Sequence, residues 1–286
     1  DVIFDSVDTN ATIGVRDTGS NTTVNYTSSV LDGSDDTVSV VLDGAEGGNV
    51  VVGTNGAESL EVSSTGSSAN ELGNIDGGSA EALTILGSQD LTLEDVDNNV
   101  ETVDASGFTG NLSATLSDIV ANNDVTVTGG TGDDTIQIAG ADDDDSIDGG
   151  DGDDKVTNTG DFEGTTLVNI ETLENIDQSG IVTIDLENAD DITNVDITAA
   201  AAGIDEFDLT NLNADSTITI SSDDDEELST ASEFTLEDDD GSSDSLAFVF
   251  EGNGSFDQTG SAIDIGAVEE LSIEANMAGG VTFDGT

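Results

Sequence analysis

Apolar and polar residues alternate in short runs along most of this chain. A period of two is the period of a β-strand, whose successive side chains point to opposite faces of a sheet. Clusters of Gly, Asn, Asp and Ser, which favour turns, separate the runs. We therefore predict an all-β protein with no long helix. The apolar members of the clearest runs are Val38, Val40, Leu42, Leu60, Val62, Leu91, Leu93, Val125, Val127, Val182, Ile184, Leu186, Ile218, Ile220, Phe234, Leu236, Leu246, Phe248, Phe250, Leu271 and Ile273.

The scarcity of large side chains limits which classes of β protein fit the sequence. Aromatic residues make up 3% of the chain and tryptophan is absent. An elongated β-solenoid or β-roll needs few of them, because its core is a thin stack of Val, Ile and Leu. We predict such a body, with tandem β-sandwich modules as the alternative. Its regions are an N-terminal strand-repeat region (1–128), a central glycine- and aspartate-rich block (129–157) and a C-terminal strand-repeat region (158–286), with no flexible linker between them.

The central block contains a nine-residue repeat. Residues 129–137 (GGTGDDTIQ) and 149–157 (GGDGDDKVT) fit the pattern G-G-x-G-x-D-x-U-x, in which U is a large apolar residue. Residues 140–148 (GADDDDSID) keep the first glycine, the sixth-position aspartate and the apolar eighth residue. Units of this pattern stack into a parallel β-roll with calcium-binding turns. The eighth-position residues, predicted to point inward, are Ile136, Ile147 and Val156.

The residue types in these turns suit calcium, which takes six to eight oxygen ligands from carboxylates and backbone carbonyls. Glycines permit tight turns that expose carbonyl oxygens, and the sixth-position aspartate supplies a carboxylate. The predicted carboxylate ligands are Asp134, Asp145 and Asp154, and the predicted backbone ligands come from Gly130, Gly132, Gly150 and Gly152. Asp133, Asp142, Asp144, Asp151 and Asp153 complete the candidate set, and those adjoining the ligands would raise affinity by added charge.

The repeat is irregular. Ile138 and Ala139 are a two-residue insertion that is expected to interrupt its register, and Asp143 replaces a turn glycine in the middle unit. We therefore expect fewer calcium sites than three perfect repeats would provide. The alternative interpretation is that these segments are ordinary Gly/Asp turns between strands, since both residues are common in turns generally.

The net charge makes cations the expected partners. The chain has 64 acidic residues and 2 basic ones, which gives a formal charge of -62 over 286 residues. Repulsion of this size opposes folding unless cations screen the charge or bind to it. Disorder is the alternative that such a charge raises, but the absence of proline and the alternating β-branched runs argue against it. Nucleic acid and anionic lipid would both be repelled, because Arg16 and Lys155 cannot form a basic patch.

Catalysis and membrane insertion find little support. Without histidine and cysteine, the usual pairs of nucleophile and base cannot form, and neither can disulfides. Carboxylate pairs are too abundant to indicate glycoside hydrolysis, and Tyr26 is the lone tyrosine that could support a sugar ring. We predict that the chain is not an enzyme. No apolar run is long enough to span a bilayer, and residues 1–4 do not resemble a signal peptide, so we expect a mature product or a piece of a longer polypeptide.

The nonapeptide block resembles the repeats-in-toxin (RTX) family. Residues 100–113 (VETVDASGFTGNLS), 37–44 (TVSVVLDG) and 58–64 (ESLEVSS) resemble the β-strand repeats of RTX-type bacterial surface-layer proteins. This resemblance implies type I secretion, a calcium-dependent β-solenoid and lateral assembly into a lattice or a fibre.

The leading hypothesis is a secreted structural protein at a prokaryotic cell surface. It would bind calcium and assemble with copies of itself into a lattice or filament through calcium-bridged carboxylates. One alternative is a calcium-dependent adhesin or carbohydrate-binding module, for which a cell-surface polysaccharide is the candidate partner. Others are a non-catalytic module of an extracellular enzyme and a protein whose acidity reflects adaptation to high salt.

Overall fold

The computed structural model of the chain describes all residues except 28, 53–55, 97–98, 117–123, 140–143, 160–161, 223–225, 229–231, 237–243, 259–262, 266–267, 269 and 284–286. The described residues form strands and no helix, as the alternation predicts. Accordingly, this part of the chain offers no long apolar helix that would cross a membrane. The strands stack in parallel as a β-solenoid, and the chain divides into two compact units.

The first unit comprises Asp1–Ala139 and Asp144–Asp154. Its strands alternate between two parallel ladders, so each coil of the solenoid has two faces. The long strand β4 belongs to both ladders, because its first half pairs with β5 and its second half pairs with β6. The strands are β1 (Val2–Val7), β2 (Ile13–Thr18), β3 (Thr22–Tyr26), β4 (Thr37–Val52), β5 (Ser59–Thr65), β6 (Asn70–Asp76), β7 (Ala82–Gly87), β8 (Leu91–Leu93), β9 (Thr102–Asp104), β10 (Leu112–Thr115), β11 (Thr126–Thr128), β12 (Thr135–Ala139) and β13 (Ser146–Asp148).

The described residues of the second unit start at Lys155. Its described strands form three parallel ladders, represented by β19 with β22, by β18 with β21, and by β20 with β23. The strands are β14 (Lys155–Thr159), β15 (Phe162–Glu163), β16 (Thr166–Val168), β17 (Thr172–Asp185), β18 (Asn194–Leu212), β19 (Ser216–Ser221), β20 (Glu226–Leu228), β21 (Ser232–Leu236), β22 (Ser245–Gly252), β23 (Ser255–Gln258), β24 (Ile263–Ile265), β25 (Glu270–Met277) and β26 (Gly280–Phe283).

The core of each unit consists of the apolar positions that alternate along the strands. Val38, Val40 and Leu42 of β4, for example, have no exposed surface. The parallel pairing excludes the β-sandwich alternative for the described strands, because sandwiches are built from antiparallel sheets. Leu271 and Ile273 differ from the expectation: they are 45% and 48% exposed, since the described residues pair β25 with β22 on one side alone.

Candidate metal centre

The sixth-position aspartates lie inside the first unit. Asp134, Asp145 and Asp154 are 1%, 2% and 1% exposed, so all three carboxylates are buried. The apolar eighth-position residues Ile136 and Ile147 are buried, as predicted, and so is Val156 in the second unit. Each aspartate immediately precedes a strand, so the nonapeptide folds as a turn followed by a strand.

These carboxylates accept hydrogen bonds from backbone groups of the preceding coil. Asp134 Oδ1 accepts from Leu112 N at 2.8 Å, and Asp134 Oδ2 accepts from Gly130 N of its own turn at 2.9 Å. Asp154 Oδ1 accepts from Asp134 N at 2.7 Å. At the opposite corner of the coil, Asp145 Oδ1 accepts from Val125 N at 2.8 Å. Each sixth-position carboxylate therefore lies at the junction between its own coil and the coil before it.

The other predicted aspartates surround these buried groups at the surface. Asp133, Asp144, Asp151 and Asp153 are exposed. Asp133 Oδ1 accepts a hydrogen bond from Asp153 N at 3.1 Å, which joins consecutive turns on the outside of the corner. Asp142 lies outside the described residues.

The predicted glycines bring backbone oxygens of adjacent turns close together. A Cβ added at Gly150 would overlap the carbonyl oxygen of Gly130, and one at Gly152 would overlap that of Gly132. Gly150 also has a φ of +98°, which side-chain-bearing residues rarely adopt. The stacked turns thus leave space for carbonyl oxygens where any other residue would place a side chain.

Burial and backbone hydrogen bonds have opposite effects on the pKa of Asp134. Burial raises the pKa of Asp134 and nearby Asp133 adds to the rise, while the hydrogen bonds from Gly130 and Leu112 lower the pKa. The two basic residues of the chain are engaged with other carboxylates: Arg16 with Asp43 at 2.7 Å and Lys155 with Glu174 at 2.9 Å. Ionised Asp134 therefore has backbone dipoles around it and no basic side chain as a countercharge.

A metal held by side chains alone does not fit this geometry. No group of three or more acidic side chains among the described residues is placed to hold an ion. Calcium fits the donors differently, because it accepts carbonyl oxygens together with one or two carboxylates. The stacked turns provide these two kinds of hard oxygen donor and no nitrogen or sulfur donor.

The unit that repeats in the fold is a coil and not the nonapeptide. The bonds from Leu112 to Asp134 and from Asp134 to Asp154 span 22 and 20 residues, which is one full coil. The pairing of β12 with β10 runs from Thr135 to Gln137 without a register shift, and Ile138, which follows it, is fully buried. Two nonapeptides and the two inserted residues together make 20 residues, which is the separation of Asp134 and Asp154.

Sequence reasoning missed one residue at this corner. Asn111 Oδ1 accepts a hydrogen bond from Asp133 N at 3.1 Å across a separation of 22 residues. No nonapeptide covers Asn111. Reading the sequence at the coil period, rather than at the nonapeptide period, would have aligned Asn111 with Asp133.

The chain has no match among protein-family models, curated proteins or solved structures.

Proposed function

We propose that the protein is a secreted structural protein that binds calcium in its glycine-aspartate turns and assembles with copies of itself into a surface layer or an extracellular filament. The observation that carries this proposal is the burial of Asp134, Asp145 and Asp154 in turns lined by backbone oxygens. Burial of an ionised carboxylate is costly, and a bound cation would offset that cost.

Calcium bound at these turns would supply positive charge and draw carboxylate and carbonyl oxygens of consecutive coils onto one centre. Asp134 and Asp154 would hold it from the inside of the corner, with backbone oxygens of the glycine turns beside them. Binding confined to the folded state stabilises that state by mass action. A chain with a formal charge of -62 would thereby couple its folding to external calcium.

Two edge strands support self-assembly. Val2, Ile3 and Phe4 of β1 are 44%, 61% and 51% exposed, and Leu271 and Ile273 of β25 are comparably exposed. Edge strands with unpaired backbone groups and apolar side chains favour pairing with another chain. Neutralisation of the acidic surface by calcium would lower the repulsion between copies.

The calcium part of the proposal is tested by adding calcium to metal-free protein while circular dichroism and calorimetry report folding and binding. Magnesium, and sodium chloride at matched ionic strength, serve as controls for charge screening. We expect calcium alone to raise the melting temperature. Asp134→Asn should weaken binding more than Asp133→Asn, because the first carboxylate is buried in the turn and the second is exposed. Equal melting temperatures with calcium and with a chelator would refute calcium binding.

Assembly is tested by electron microscopy and sedimentation of the same protein with and without calcium. We expect sheets or filaments with calcium and dispersed particles after chelation. A double substitution of Phe4 and Ile273 by serine should reduce assembly while calcium binding stays unchanged. Particles that remain monomeric at every calcium concentration would contradict self-assembly and leave calcium binding to be judged by the preceding test.

A further inference from the structure

We infer that copies of the chain join head to tail, with β25 of one copy pairing in parallel with the free edge of β1 of the next copy. The contact is heterologous, since each copy uses one surface at β25 and a different surface at β1. A heterologous contact repeats into a filament unless it closes a ring. The inference rests on the proposed function, because it specifies the contact through which the copies assemble.

The apolar side chains of β1 point toward the core side of its ladder and remain exposed. Val2 and Phe4 pair with the buried residues Thr22 and Val24 of β3, and residues paired in a ladder point to the same face. Val2 and Phe4 are nevertheless 44% and 51% exposed, because the described strands pair β1 with β3 alone. Phe4 also lines an apolar cavity of about 210 Å³. The core is therefore unfinished at the free side of β1.

The apolar side chains of β25 are uncovered in the complementary way. Leu271 and Ile273 pair with the buried residues Leu246 and Phe248 of β22, yet they are 45% and 48% exposed. Within the described strands, β1 has no neighbour from a preceding coil and β25 has none from a following coil. A second copy placed head to tail supplies both neighbours at once and covers both sets of apolar side chains.

The free backbone groups of the two edges match in phase. Val2 N donates a hydrogen bond toward the coil of β3, so the N–H group of Ile3 points to the free side of β1. Glu270 N donates toward the coil of β22, so the N–H group of Leu271 points to the free side of β25. With Leu271 opposite Val2, Ile3 N–H can donate to the carbonyl oxygen of Leu271. A shift of one residue would misalign both the hydrogen bonds and the apolar faces.

The same register places two carboxylates opposite each other. With Leu271 opposite Val2, Glu274 lies opposite Asp5 on the outer face, and both residues are exposed. Like charges directly opposite each other in a sheet are destabilising. The junction should therefore open in metal-free protein at low salt and close when calcium lies between the carboxylates or salt screens them. The dependence of assembly on cations would then arise at this pair.

The contact is tested by disulfide trapping, because the chain contains no cysteine. Ile3→Cys and Ser272→Cys are made as separate variants of the full chain, since the two positions lie opposite each other in the inferred register. They are mixed with calcium, oxidised with diamide and separated by non-reducing electrophoresis. We expect disulfide-linked dimers in the mixture and at least about tenfold fewer in either variant alone. Asn276→Cys replaces Ser272→Cys as the control, because position 276 lies about 13 Å further along the strand.

Charge reversal tests the register. Glu274→Lys and Asp5→Lys should each increase the amount of polymer that sediments in chelator by about tenfold, because each replaces a repulsive pair by an attractive one. The control is Glu251→Lys, which changes the net charge equally at an exposed position of β22 and should behave as wild type. The variant with both Asp5→Lys and Glu274→Lys should lose the gain, because like charges again face each other.

The outcomes separate the contact from the proposed function. If wild type forms polymers with calcium while the mixture gives no more disulfide than its controls, the head-to-tail contact is wrong and self-assembly uses another surface. If Glu274→Lys and Asp5→Lys respond no more than Glu251→Lys, the inference is overturned even where the cysteine variants do not fold. If wild type forms no polymer at any calcium concentration, both the inference and the proposed self-assembly are wrong.

Discussion

The two units of this solenoid close their coils with different chemistry. In the first unit the tight corners bury ionisable side chains, Asp134, Asp145 and Asp154. In the second unit the buried polar residues include the neutral pair Asn158 and Asn175, joined by a side-chain hydrogen bond of 3.1 Å, and one carboxylate oxygen of Asp244 is buried.

The two units also differ in the apolar residues that fill their interiors. Five phenylalanine rings form a contact chain in the second unit: Phe207, Phe234, Phe248, Phe250 and Phe256, with centroids as close as 4.6 Å. The first unit fills its interior mainly with Val, Ile and Leu. The phenylalanine rings lie among long coils, where contacts between neighbouring coils span up to 30 residues, whereas contacts at the aspartate corner span 20 to 22. Coil length also varies within each unit, since paired residues are 27 apart at Ile13 and Val40 in the first unit and 17 apart at Lys155 and Thr172 in the second.

This contrast separates two sources of stability. Long coils enclose a wide interior that bulky rings can fill, and the resulting apolar burial stabilises the fold without an ion. Short coils turn sharply on glycine, and their corners rely on oxygen atoms that calcium would organise. We therefore expect the aspartate corner of the first unit to depend on calcium and the phenylalanine-filled coils of the second unit to depend on packing.

The largest expected effect is that of calcium removal on the first unit. Loss of an ion at a thousandfold excess over its Kd removes about 4 kcal/mol of stabilisation per site. Hydrogen exchange with mass spectrometry should show lost protection in strands β9 to β13 after chelation, with β19 and β22 much less affected. Equal loss of protection in both groups of strands would break the proposed division.

A core substitution in each unit sharpens the comparison. Phe207 and Phe108 are both almost fully buried, and truncation of either to alanine should cost about 3 to 5 kcal/mol. We expect the loss in Phe207→Ala to be the same with and without calcium. In Phe108→Ala calcium should restore part of the stability, because the carbonyl of residue 108 faces Gly130 in the metal corner. Chemical denaturation at two calcium concentrations measures the free energy of unfolding of each variant. The expectation is contradicted if calcium changes the stability of the two variants by the same amount.

The smallest expected effect is a dependence on pH in the metal-free protein. The raised pKa of Asp134 means that the folded state holds the proton more tightly than the unfolded state. The free energy of unfolding should therefore fall as pH rises from the ordinary pKa of an aspartate through the raised one. Asp134→Asn should remove this part of the slope, and added calcium should oppose it by favouring the ionised form. An identical slope in wild type and Asp134→Asn would show that other carboxylates cause it.

Much of the fold was predictable from local pattern. The alternation at Val38, Val40 and Leu42 identified a strand and its buried face, and the eighth-position residues Ile136 and Ile147 were correctly predicted to lie inside. The nonapeptides predicted which aspartates lie at the turns. The two-faced and three-faced coils were not predicted, because alternation specifies which side of a strand is buried and not which strand lies beside it.

The sequence by itself determined the strands, the inward positions and the excess of carboxylates, since these depend on residue type and on a period of two. Only the tertiary structure determines which oxygen atoms lie close together. Asn111 and Asp133 are 22 residues apart and become neighbours because one coil has that length. The coil length follows from how the faces pack and where the turns close, and no nonapeptide encodes it. For the same reason, Leu112 N, one of the two donors to the Asp134 carboxylate, comes from a turn that carries no repeat.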